Sequence, residues 1–66
     1  MGRELFAKRL KETRVRLGLT LAELAALADT KLHTIHNWER GKSYPEVAQL
    51  IRLCKALGVT IDWLLG

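Results

Sequence analysis

The sequence predicts an all-α fold, a compact five-helix bundle forming one domain over residues 1–66. Two observations carry this. Apolar residues recur at spacings of three and four along most of the chain, which is the helical period. Gly18, Gly41, Pro45 and Gly58 interrupt that period where helices should end or begin, and no apolar–polar alternation persists long enough for a strand.

Helix 1 is expected from about Arg3 to Leu17, with Phe6, Leu10, Thr13 and Leu17 on one face and Gly18 as its stop. Helix 2 is expected from Leu21 to Ala28. Its start reads "TLAE", a capping box in which Thr20 accepts from the Glu23 amide and Glu23 reaches back to the Thr20 amide. Leu24, Leu27 and Ala28 give it an apolar face, and Ala25 is small enough for another helix to come close. Helix 3 is expected from Lys31 to Arg40. Ile35 and Trp38 share one side; His33, His36, Asn37 and Arg40 lie largely on the other. After the loop "GKSYP", Pro45 suits the first turn of helix 4, where its missing amide hydrogen costs nothing. Val47, Leu50, Ile51, Cys54 and Leu57 make the stripe of that helix, and Gly58 stops it. "TIDWLL" begins helix 5, with Thr60 as cap and Asp62 near the positive end of the helix dipole.

Composition bounds the function. The chain is 48% hydrophobic and 27% charged, which argues for a folded domain rather than disorder. Its single cysteine, Cys54, excludes an internal disulfide and fits a reducing cytoplasm. No apolar run approaches the ~20 residues that span a bilayer, so no membrane partner is expected. The segment "MGRELFAKRLKE" lacks the apolar region of a secretory signal. It also lacks the Ser or Thr of a myristoylation signal, so Gly2 reads as an ordinary glycine. Net charge is +4, and Arg3, Lys8, Arg9, Lys11, Arg14 and Arg16 crowd helix 1. Such a face suits a polyanion, or simply water.

Only Asp29 and Thr30 separate helices 2 and 3, which forces a steep crossing rather than a hairpin. Asp29 is one of the few non-glycine types that tolerate a left-handed backbone. Helix 3 would then present its N-terminal end and polar face outward, a geometry suited to a DNA major groove; an ordinary helical corner would look the same.

Four pieces in order single out a family: "LAELA" opening helix 2, "I-x-x-W-E-R-G" ending helix 3, "YP" before helix 4, and "ALGVTIDWLL" at the end. From about Phe6 to Leu65 the chain resembles the lambda-repressor-like helix-turn-helix family, the Cro and phage-repressor (Xre) type. The resemblance implies a sequence-specific, double-stranded DNA-binding transcriptional regulator, a repressor, in a bacterial or phage-encoded cytoplasmic setting. It implies base contacts from Leu32, His33, Thr34, His36 and Asn37. It implies phosphate contacts from Arg14, Leu21, Lys31, Arg40, Lys42 and Ser43, an interhelix ion pair between Arg14 and Glu39, and a homodimer contact through Val59, Trp63 and Leu65 on a two-fold symmetric operator. Trp63 could equally close the bundle.

The side chains suit those roles. Asn37 can pair in a bidentate manner with adenine, Thr34 can hydrogen-bond or pack on thymine, Leu32 can pack on a thymine methyl, and the histidines can donate. Three departures stand out. Leu21 replaces a common glutamine, Asp29-Thr30 replaces "Gly-Val", and Lys31 replaces a Ser or Thr cap. The helix 2 amides could still attract phosphate at Leu21.

His33 and His36 are spaced for one metal ion, but zinc needs a third protein ligand. Cys54 belongs to an apolar stripe, and Asp29 and Glu39 have other work, so no metal and no cofactor are expected. No nucleophile is paired with a base, no glycine loop cradles a phosphate, and so small a bundle leaves little room for a small-molecule pocket; no enzyme is expected. Two alternatives stay open: a protein-binding, antitoxin-like module on the same fold, and the N-terminal domain of a longer repressor.

Overall fold

A computed structural model describes residues 3–66; the reading of Gly2 lies outside the described residues. The helices are α1 (Arg3–Arg16), α2 (Leu21–Leu27), α3 (Leu32–Glu39), α4 (Val47–Leu57) and α5 (Ile61–Leu65). The α3 helix packs on α1 and α2, α4 lies against α2, and α5 closes the bundle against α1 and α4. Phe6, Leu10, Leu24, Ala25, Ala28, Ile35, Trp38, Leu50, Leu53, Cys54, Leu57 and Leu64 form one core.

The expected helix starts follow from local chemistry. Thr20 Oγ1 accepts from the Glu23 amide at 3.0 Å, and the Thr20 amide donates to Glu23 Oε1 at 2.8 Å. The backbone and then the hydroxyl of Thr20 hold the Glu23 carboxyl below the usual carboxylate range. Thr60 caps α5 by accepting from the Trp63 amide at 3.1 Å. Lys31 is the N-cap of α3 but supplies no side-chain hydrogen bond, as its replacement of a hydroxyl residue predicts.

The ends of α1 to α4 share one motif. Beyond each, a residue takes positive φ: Gly18 (73°), Asp29 (54°), Gly41 (72°) and Gly58 (69°). The following amide reaches back to the last turn, Leu19 to the Arg14 carbonyl, Thr30 to Ala25, Lys42 to Asn37 and Val59 to Cys54. This Schellman arrangement satisfies carbonyls that a helix end would otherwise orphan. Only at the α2–α3 turn does a residue other than glycine hold the left-handed position.

The structure corrects several apolar faces. Leu17 is 50% exposed, because α1 ends at Arg16 and the chain turns at Gly18 before Leu17 can continue the face. Leu27 is exposed too. The buried side of α2 runs through Leu24, Ala25 and Ala28, which leaves Leu27 a step around the cylinder. In α4 the buried stripe is Leu50, Leu53, Cys54 and Leu57. Val47 and Ile51 face outward, because α2 and α5 lie on the Leu53 side. Pro45 precedes the Glu46 cap, so it lies outside α4. It is buried beside Tyr44, whose ring tilts against Phe6 with centroids 4.9 Å apart. Lys31 and Arg40 cap α3 rather than belonging to it. Cys54 is a buried small hydrophobe whose thiol is pushed up by burial. The Thr13 hydroxyl, also buried, has no partner among the described residues, which costs the core about 1–3 kcal/mol.

Candidate nucleic-acid interface

The α3 helix is held from behind and bare in front. Ile35 and Trp38 are buried in the core, and between them and Arg40 sits Glu39. Glu39 Oε2 accepts from Arg14 Nε at 2.6 Å and Oε1 from Nη2 at 3.1 Å, a bidentate pair. The remaining Arg14 nitrogen, Nη1, donates to the Leu19 carbonyl at 2.8 Å. The side chains are only 13% and 5% exposed. One arginine therefore fixes the end of α3, the end of α1 and the approach to α2. Arg14 forms the expected ion pair with all three nitrogens engaged inside the fold, and the phosphate contact also expected of it would fall to its remaining N–H groups.

On the opposite side, His33, His36 and Arg40 are exposed and Asn37 is half-buried among them. Asn37 Nδ2 lies 3.2 Å from His33 Nε2, one helical turn away. The other two expected base contacts flank this strip. Leu32, 48% exposed, stands on one edge. Thr34, half-buried, stands on the other and lines an open cleft of about 480 Å³ with Asp29, Thr30, Lys31 and Gln49. Lys31 and Lys42 are exposed near the two ends of α3, and Ser43 is half-buried in the loop after it. Leu21 packs against the core, so the phosphate contact expected at this position belongs to the backbone amides at the start of α2.

Two positions escaped sequence reasoning. Arg52 Nε donates to the Ala28 carbonyl at 3.2 Å, tying α4 to the turn before α3. Nothing in the linear pattern around Arg52 signals that partner. Gln49 Oε1 accepts from the Glu46 amide at 2.8 Å while its residue lines the Thr34 cleft. The pattern "EVAQ" has the spacing of a capping box, but with Glu in the first place it does not advertise itself.

At the far end of the molecule, Val59 and Leu65 pack partly against the core, and Trp63 is 39% exposed. Arg9 lies 4.8 Å from the Trp63 ring centroid and donates to the Trp63 carbonyl. Trp63 thus helps close α5 on α1, while part of its ring still faces outward. Among the described residues no helix is long and apolar enough to cross a membrane, and no cluster of His, Cys, Asp or Glu is arranged to hold a metal ion.

Known proteins share this arrangement. The family model described as helix-turn-helix, HTH_3, matches residues 10–64. The restriction-modification controller protein C.AhdI from Aeromonas hydrophila is 27% identical, with a TM-score of 0.88 and 94% of each chain covered. The P22 c2 repressor, solved in complex with a synthetic operator, is 30% identical, with a TM-score of 0.89 and 91% of each chain covered. The clp gene regulator ClgR from C. glutamicum is 30% identical, with a TM-score of 0.84 over 96% of this chain and 82% of that one. A family match over most of the chain, joined to a bare helix held from behind across a tight left-handed turn, places this protein in the HTH_3 helix-turn-helix family, of the lambda-repressor-like kind.

Proposed function

We propose that this chain is a sequence-specific, double-stranded DNA-binding transcriptional regulator of the repressor type, reading the major groove with α3. The observation that carries this is the division of α3. Ile35, Trp38 and Glu39 anchor it, and His33, His36, Asn37 and Arg40 are left as an outward polar strip with Leu32 and Thr34 at its edges. A groove wide enough for a helix accepts such a strip, and its base edges offer partners to Asn37, Thr34 and His36. Lys31, Arg40, Lys42 and Ser43 flank the strip where phosphates would lie, positioning the domain without reading sequence. The similarity to the P22 c2 repressor, which was solved in complex with a synthetic operator, the like fold of C.AhdI and the matched family support the same assignment. The protein acts on DNA inside a bacterial or phage-infected cell.

It acts as a homodimer joined near Val59, Trp63 and Leu65. Two copies would read half-sites about 34–36 Å apart, one turn of DNA. Three exposed cations per copy then give six phosphate contacts, so a log–log plot of affinity against salt should have a slope of about −5. Lys42→Ala should flatten that slope by about 1 per protomer while leaving sequence preference intact. A titration with no salt dependence on any duplex would overturn the DNA assignment. It would favour a second reading, a protein partner, for which the exposed Leu27 and Leu32 are the supporting observation.

A further inference from the structure

We infer that His33 is a positioning residue that decides which purine Asn37 reads, an inference that rests on the DNA-reading assignment above. The observation is the 3.2 Å contact between Asn37 Nδ2 and His33 Nε2 on the exposed face of α3. An amide nitrogen only donates, so in this contact Nε2 is the acceptor, the role it has in the imidazole tautomer protonated on Nδ1. This uses one of the two Asn37 amide hydrogens and leaves the other, with Oδ1, facing outward.

One donor beside one acceptor is the complement of the adenine edge, where N7 accepts and N6 donates. The opposite amide orientation would set Oδ1 toward the imidazole and turn both amide hydrogens outward. Two donors complement guanine, whose N7 and O6 both accept. An unrestrained asparagine can present either edge by rotating about its last torsion. The bare Nε2 of His33 selects the adenine form before DNA arrives, which also removes part of the ordering cost from binding. His33 thereby acts through its neighbour rather than on a base of its own.

The test is selection of bound duplexes from a random pool with the wild-type chain and four variants, Asn37→Ala, His33→Ala, His33→Glu and His33→Lys. His33 is exposed, so these changes leave the core untouched; circular dichroism checks that each variant folds. The wild type should enrich a motif with one adenine that Asn37→Ala no longer selects. At that same position His33→Ala should lose most of the preference, which for a bidentate contact is about 5- to 150-fold. His33→Glu supplies only an acceptor and should retain adenine. His33→Lys supplies only a donor and should move the choice to guanine. A His33→Ala motif altered at a different position, with the Asn37 position unchanged, would overturn the inference and make His33 a base contact. Glu and Lys variants that both behave like Ala would overturn it as well. A wild-type chain that enriches no motif would overturn the DNA assignment itself, and this inference with it.

Discussion

Glu39→Gln is expected to lose about 3 kcal/mol of stability, toward the lower end of what breaking a buried ion pair costs. The change keeps the shape of the side chain and removes its charge. Arg14 would then remain with its guanidinium largely enclosed and its bidentate partner gone. The lower end applies because Arg14 keeps 13% exposure and its bond to the Leu19 carbonyl. A domain of this size has a total stability of roughly 3–10 kcal/mol, so the loss removes about a third or more of it and should move the urea midpoint well below that of the wild type. Replacing both charges with apolar side chains, Arg14→Met with Glu39→Leu, should recover most of the loss, since neither charge is then stranded. Urea denaturation of the wild type, the single variant and the double variant checks this. A Glu39→Gln midpoint equal to wild type would contradict the enclosed-pair account of how α3 is held.

Trp38→Ala is expected to cost about 3–5 kcal/mol, through lost burial and the cavity left behind. Trp38 is among the largest fully buried side chains and lies on α3 itself, so its loss weakens both the core and the seat of the polar strip. For so short a chain each kcal/mol moves the melting temperature by about 4–8 °C, so a drop of about 12–40 °C should appear by circular dichroism. Trp38→Phe fills much of the same space and should fall by less. A Trp38→Ala midpoint within a few degrees of wild type would remove Trp38 from the core.

What could be read in advance depended on the range of the interaction. The Thr20–Glu23 box, the Thr60 cap and the stops at Gly18, Gly41 and Gly58 are written within a few residues of themselves, and each stands where expected. The left-handed Asp29 is of the same kind. The α4 stripe is not. A helix with apolar residues at Val47, Leu50, Ile51, Leu53, Cys54 and Leu57 offers two overlapping faces, and the choice between Ile51 and Leu53 is made by where α2 and α5 lie. Leu17 and Leu27 failed for a related reason, since each sits one residue past or beside the face its helix buries. The Arg14–Glu39 pair joins residues far apart in the chain and was legible only through the family likeness. The bond from Arg52 to the Ala28 carbonyl has no comparable cue. In the candidate interface, the two sides of α3 followed from helical period alone, whereas the His33–Asn37 contact needed the side-chain geometry.

The central claim is that the outward strip of α3 meets DNA. Backbone amide resonances of the labelled protein, followed while a duplex is added at low salt, test it most directly. Shifts should concentrate at Leu32, His33, Thr34, His36 and Asn37 and continue through Arg40, Lys42 and Ser43. Raising the salt should weaken all of them together. Shifts confined to the α1–α5 end around Arg9 and Trp63, or none at any duplex concentration, would contradict it.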